Sequence, residues 1–302
     1  MPAAELTSTP APPASPAPAA PPAARPSRRR HRRARLVVRY VLLTVGAIVI
    51  LFPLYMAVVN SLLAPSQIAH QPPPLFPVHP QWGSYRKAWT EGSLGIYLRN
   101  SAIQTSVIVA GQLMTSVLAA YAFAFLDFPF KRTLFVVFLM TLMIPFEVTI
   151  ATNLSTVSSL GWFNTFPGLT VPFLATGFGT FLMRQAFLQI PPDLREAAQL
   201  DGYGHFRFLW SVAIPLARPA LAALAVFSFL GAWNQYLWPL LVTGNDNSVR
   251  TVQIGLKQLL NTQLDQVNVS LAGTVIAVVP LLIILVVFQK QLVRSLTSGA
   301  VK

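Results

Sequence analysis

The sequence predicts an all-α, polytopic membrane protein with six transmembrane helices. Three observations lead there. Of the 302 residues, 54% are hydrophobic and only 10% are charged, with a mean hydropathy of +0.56; soluble domains run near ~25% charged. Six apolar runs recur along the chain, each long enough to cross a hydrocarbon core of ~30 Å as a helix. None alternates apolar and polar residues in strands of about ten residues, as a β-barrel requires. Helices are the natural solution, because each satisfies its own backbone hydrogen bonds in lipid. The absence of cysteine excludes a disulfide-stapled secreted domain, a Cys-based zinc site, an iron–sulfur cluster and a thiol nucleophile.

Residues 1–35 read as a Pro/Ala/Arg-rich cytoplasmic tail. From Pro2 to Ala24 there is no apolar periodicity, which is the pattern of a disordered segment. Arg25, Arg28, Arg29, Arg30, Arg32, Arg33, Arg35 and Arg39 follow and account for much of the net charge of +13. Such a run can bind RNA or DNA. Here an apolar span begins at once, so the run reads as an anchor on anionic lipid with no nucleic-acid partner. The first span, 36–61, reaches about 39 Å at 1.5 Å per residue. It is too long for the apolar region of a secretory signal peptide and reads as a retained anchor, with Pro53 inside it.

Residues 62–96 form an extracytoplasmic loop carrying Pro72-Pro73-Pro74, Trp82, Tyr85 and Trp89. Its aromatic residues suit either an external partner or an interfacial belt. The remaining spans are expected at 100–126, 133–154, 166–187, 220–242 and 272–288, with a cytoplasmic tail at 289–302. The connection at 127–132 is so short that spans two and three must be adjacent and antiparallel. Six spans place both termini on one face. Seventeen of the 22 Lys and Arg residues fall on that face and five on the other, so the positive-inside rule puts both termini in the cytoplasm.

The inner connection between spans four and five holds the most specific signal. Pro191 and Pro192 end the preceding helix. Asp193 is a suitable N-cap, and Glu196 stands three residues later in a capping-box arrangement. Ala197, Ala198 and Leu200 continue a short helix, and Gly202 can close it in a left-handed conformation. Two alanines leave no bulk, so this helix can sit in a groove of another protein or lie amphipathically on the bilayer.

Glu196-Ala197-Ala198, Asp201-Gly202 and Ile214-Pro215-Leu216 resemble the EAA loop of membrane subunits of binding-protein-dependent ABC importers. Ile214 stands where the family more often has Leu. Tyr121-Ala122-Phe123-Ala124-Phe125, Thr141-Leu142-Met143-Ile144-Pro145, Phe181-Leu182-Met183-Arg184-Gln185 and the run from Gly231 to Leu241 are similar to the carbohydrate-uptake branch. Within it, the second membrane subunit of glycerol-3-phosphate (Ugp-type) importers is most similar. The resemblance runs from about Leu36 to Ser298 and leaves out the tail. It implies a type I ABC importer permease fold, with a permease domain at 97–288 and the EAA loop at 193–216. It implies a non-catalytic subunit that binds no cofactor, with ATP and Mg used by two copies of a cytoplasmic ABC ATPase. A second homologous permease and an extracytoplasmic substrate-binding protein complete the assembly. Glu196, Ala197, Ala198, Asp201 and Gly202 would form the coupling loop in a cleft of the ATPase. The cargo implied is sn-glycerol-3-phosphate or a glycerophosphodiester, with an oligosaccharide or other sugar as the alternative.

The chain carries no Gly-Lys dipeptide, and none of its lysines follows a glycine-rich run, so it lacks a phosphate-cradling P-loop. An ion-coupled transporter is the competing class, and its one candidate relay is Glu147, behind Pro145. A carboxylate lining a wet vestibule is the plainer reading of that residue. A membrane enzyme has little support: His31, His70, His79 and His205 have no metal-ligand spacing. Asn100, Gln104, Gln112, Thr115, Asn153, Asn234 and Gln235 are the polar groups on the spans. Asn234, with Gln235 and flanked by Trp233 and Trp238, is the candidate for the translocation pathway, although such amides also serve as bonds between helices. Asn245, Asp246 and Asn247, in the polar outer loop 243–266, are the candidates for contact with the binding protein.

Reporter fusions after Asn153 and at Lys302 are expected to report opposite faces of the membrane. Finding both on one face would defeat the six-span topology.

Overall fold

The computed structural model describes residues 27–70, 72–244, 248–262 and 265–298, with side chains between 35 and 291. The Pro/Ala tail before residue 27 and Asn245, Asp246 and Asn247 lie outside the described residues. The chain divides at Pro53 into two units, 1–53 and 54–302. The first contributes most of helix α1 (Ser27–Leu62), whose candidate span Arg35–Leu62 carries the first apolar run. The helix continues back through the arginine run.

In the second unit the segment expected as the first loop, 62–96, is partly helical. It contains α2 (Pro65–Ile68) and α3 (Gly83–Thr90). Helix α4 (Leu94–Phe125) begins six residues before its expected start, and α15 (Val267–Ser298) outruns its apolar run at both ends. Between them the helices are short: α5 (Lys131–Met140), α6 (Phe146–Ser159), α7 (Phe166–Thr170), α8 (Gly177–Phe187), α9 (Pro192–Leu200), α10 (His205–Phe208), α11 (Ile214–Leu216), α12 (Arg218–Trp233), α13 (Leu237–Val242) and α14 (Val252–Thr262). Among the described residues every regular element is helical.

Among the described residues three helices are long and apolar enough to span by themselves, and the number reaches six where each of three bent pairs counts as one span. The third run is broken by 96° between Lys131–Met143 and Phe146–Ser159. Pro145 lies at this break, lacks the N–H that a continuous helix needs, and pushes Ile144 into extended backbone (φ −85°, ψ 111°). The fourth run bends by 45° between Phe166–Phe173 and Gly177–Phe187. An 80° bend separates His205–Leu216 from Arg218–Trp233, around Pro215 and Pro219. The fifth run is also interrupted, at Asn234-Gln235-Tyr236. Pro239 cannot extend a helix running through Gln235, but it fits the first turn of α13, where its missing donor has no intrahelical partner anyway.

Helix α4 is the scaffold: it packs most extensively against α8 and α12, and α12 packs in turn on α15. At one end, Val117, Ala120, Tyr121 and Phe125 join Met183, Phe187, Ala198, Phe208 and Leu224 in one cluster. At the other, Leu94, Tyr97, Trp233, Val252, Leu259 and Ala277 form a second. The broken elements meet in a third, where Trp238 packs edge-on against Phe146 and Phe173 at 5.7 and 5.8 Å between ring centres. The indole Nε1 of Trp238 donates to the Gly168 carbonyl at 3.0 Å. Spans two and three are adjacent, as the short connection requires, through Phe123 against Phe135 at 5.2 Å.

A Cβ at Gly168 would stand 2.2 Å from the backbone oxygen of Trp162, and backbone yields little. Gly168→Ala is expected to cost about 1–3 kcal/mol and to lower the thermal unfolding midpoint. An unchanged midpoint would show that the close approach is not maintained.

Candidate functional site

The loop between α8 and α12 is built around a short helix fixed at both ends. The expected N-cap is corrected: Pro191 (φ −56°, ψ 136°) caps α9 and Pro192 occupies its first turn. Proline fits there because its fixed φ suits a helix start and its missing N–H would be unpaired anyway. Asp193 is therefore inside the helix, with no side-chain cap bond, and its charge favours the positive end of the dipole. Glu196 forms no capping box and is exposed, without a hydrogen bond or ion pair among the described residues.

The carboxyl end closes as the glycine predicts. Gly202 has φ 77°. Its N–H donates to the Gln199 carbonyl at 3.0 Å and the Tyr203 N–H donates to the Ala198 carbonyl at 2.8 Å. These are the two bonds of a Schellman closure. The two alanines have different environments, which corrects the expectation that both face a partner. Ala198 is 7% exposed and belongs to the cluster with Phe125, Phe187 and Phe208, whereas Ala197 is exposed. The exposed surface includes Glu196, Ala197, Asp201 and Leu200, the last 90% exposed.

Further contacts fix α9 and its return segment. The Tyr121 hydroxyl and His205 Nδ1 are 3.0 Å apart. The Arg195 guanidinium lies 5.7 Å from the Phe125 ring centre, and that of Arg207 lies 4.1 Å from Tyr203. A π-helical turn at Leu209–Ala213 precedes Pro215. The sequence reading missed the Tyr121–His205 pair, because a single His in a polar loop carries no periodic signal.

The candidate pathway residues gather around the break in the fifth run. Asn234 is exposed and donates from Nδ2 to the Leu230 carbonyl at 2.9 Å, closing α12. Gln235 accepts from Gln104 Nε2 at 2.7 Å. Trp233 is buried: it stacks on Phe229 and its Nε1 donates to the Ala277 carbonyl at 3.2 Å. Trp233 and Trp238 thus frame the break from inside the packing. Glu147 is exposed in the first turn of α6. Beside Gln235 a cavity of about 210 Å3 is lined by Gln112, Thr176, Ser228, Phe178 and Phe227 among others.

Three other polar residues of α4 are bonded to neighbouring backbone. Asn100 Nδ2 donates to the carbonyls of Ser248 and Arg250 at 2.8 and 2.9 Å, holding the outer loop. Gln112 donates to the Phe173 carbonyl at 2.9 Å and Thr115 to that of Leu174 at 2.8 Å. Among the described residues no group of His, Cys, Asp and Glu could hold a metal ion.

The family described as "Binding-protein-dependent transport system inner membrane component" matches residues 112–298. The chain is 35% identical over 268 residues to the sn-glycerol-3-phosphate transport system permease protein UgpE of Yersinia pestis bv. Antiqua, covering 86% of this chain and 95% of that relative. It is 36% identical over 271 residues to UgpE of Agrobacterium fabrum, covering 87% and 96%. Among solved structures, a bacterial ABC transporter involved in the import of the acidic polysaccharide alginate is similar in fold, with a TM-score of 0.74 and 23% identity over 86% of this chain and 97% of that one.

The Gln104–Gln235 bond joins α4 to the break. In a double-mutant cycle with alanine at both positions, a coupling of about 0.6–2 kcal/mol is expected, read from unfolding of the membrane protein. Additive effects would mean that the two amides act independently.

Proposed function

Since the chain belongs to the family of binding-protein-dependent transport system inner membrane components, and is the membrane permease of an ABC importer, we propose that it passes sn-glycerol-3-phosphate or a glycerophosphodiester inward. The cargo would arrive on an extracytoplasmic binding protein. ATP would be hydrolysed by two copies of a cytoplasmic ABC ATPase, and a second permease would supply the other half of the pathway. Both termini would be cytoplasmic, following the charge asymmetry.

The observation that carries the mechanical part is the two-sided character of α9. Its inner side, through Ala198, is packed into the cluster shared by α4, α8 and α12. Its outer side presents Glu196, Ala197, Leu200 and Asp201 to solvent. A partner gripping that outer side would move α9 together with α4, because a close-packed interior transmits displacement and does not absorb it. Ala197 would allow close approach, Leu200 would fill an apolar recess, and Glu196 would meet a basic group of the ATPase.

On the pathway, Asn234 and Gln235 would meet the cargo at the break between α12 and α13, with Trp233 holding the break in place and Glu147 lining the outer vestibule. Asn245, Asp246 and Asn247 would reach the binding protein. An oligosaccharide is the second reading. It is favoured by the cavity beside Gln235, whose polar lining is made of amides and hydroxyls with no charged side chain, a set suited to sugar hydroxyls.

Uptake by the reconstituted importer of glycerol-3-phosphate against a neutral oligosaccharide decides the cargo. Gly202→Val places a β-branched residue at φ 77°, a conformation costing roughly 1–2 kcal/mol for L-residues. The variant is expected to insert normally and hydrolyse ATP with its partners while losing uptake. Normal uptake would remove α9 from the coupling role.

A further inference from the structure

Beside the start of α5 lies a groove of about 530 Å3, lined by Lys131, Arg132, Phe135, Val136, Leu139 and Arg184. Its floor is apolar: Phe135 is buried, Leu139 half-buried and Val136 exposed. Its rim is cationic. The Arg184 guanidinium lies 4.1 Å from the Phe135 ring centre, and its Nε donates to the Phe123 carbonyl at 3.2 Å. Those contacts fix the group and leave its terminal amino groups without a partner among the described residues. Lys131 Nζ donates to the Leu126 carbonyl at 2.6 Å and stands 3.8 Å from Asp127, whose side chain is 99% exposed. Arg132 is exposed, with no hydrogen bond or ion pair among the described residues. Three cations therefore share one rim, opposed by a single solvated carboxylate. Two of them occupy the first turn of α5, where the helix dipole adds to their charge and does not offset it.

We propose that this groove holds one anionic phospholipid, its phosphate against Arg132, Lys131 and Arg184 and an acyl chain along Phe135, Val136 and Leu139. Charge and shape select this occupant together. A zwitterionic lipid fills the floor but leaves the rim uncompensated. A soluble phosphate meets the rim but leaves the apolar floor wet. Basic pockets between transmembrane helices on the cytoplasmic side bind anionic head groups for the same reason. Because Arg184 belongs to α8, which leads into α9, the lipid links α5 to the helix that feeds the inner loop. The inference rests on the start of α5 lying in the cytoplasmic leaflet, which the reporter fusions test separately.

The experiment uses the complete importer in nanodiscs of equal parts phosphatidylglycerol and phosphatidylcholine, with a photoreactive benzophenone side chain at position 136. Phosphatidylglycerol is expected to be cross-linked over phosphatidylcholine by about five to one, against one to one in the bulk, the effect of roughly one basic residue near an anionic surface. Arg132→Gln is expected to return the ratio to that of the bulk, and millimolar inorganic phosphate to leave the enrichment intact. Cross-linking in bulk proportion, undiminished enrichment in Arg132→Gln, displacement by inorganic phosphate, or a cross-link to a neighbouring subunit in place of lipid would each overturn the assignment.

Discussion

The packing of Ala198 into the cluster with Phe125, Phe187 and Phe208 is the contact on which the end of the molecule around α9 depends. A surface helix of nine residues is too short to be stable by itself in water. It exists here because one face is buried and its two ends are fixed, by proline at the start and by a left-handed glycine at the finish. The same contact makes the helix mechanically continuous with α4, α8 and α12. A larger residue at position 198 would lift α9 off the cluster, and a polar one would bury an unpaired group. The small side chain is thus required by this chain's own interior before any partner is considered.

A second constraint governs the remainder. A helix broken inside a membrane frees carbonyls and amides that lipid cannot satisfy. Several of the groups freed here are met by side chains. Gln112 and Thr115 take the carbonyls of Phe173 and Leu174 beside the fourth-run bend. Trp238 takes that of Gly168, and Asn234 closes the end of α12. Asn100, Gln112 and Thr115 of α4 therefore act as anchors, and a single unbroken helix holds several broken ones. This arrangement leaves Gln235, Ser228 and Thr176 facing the cavity beside the fifth-run break, while most other amides of the region are committed to framework bonds.

Much of this was legible in the sequence. The helical class, the six apolar runs, the short inner helix and the turn at Gly202 follow from hydropathy, from proline and glycine chemistry, and from the EAA pattern. The boundaries of α4 and α15 were misjudged because polar residues such as Asn100 and Asn268 are paired inside the fold and so do not end a helix: Asn268 donates to Ser84 at 2.8 Å, tying α15 to α3. The capping box at Asp193 and Glu196 failed for a local reason, since the helix starts two residues earlier, at Pro192 with Pro191 as its cap.

By itself the sequence determined what is encoded by neighbours within a few turns: which stretches are apolar enough to cross lipid, where proline forbids a straight helix, and where glycine permits a reversal. These depend on local backbone chemistry and on composition. The tertiary structure alone decided which alanine of the pair turns inward, which amides bind backbone and which remain toward the cavity, and that three cations converge on one apolar groove. Those outcomes depend on groups far apart in the chain. Gln104 and Gln235 are separated by 131 positions, and no periodicity along one helix records which side chain on another will complete its hydrogen bond.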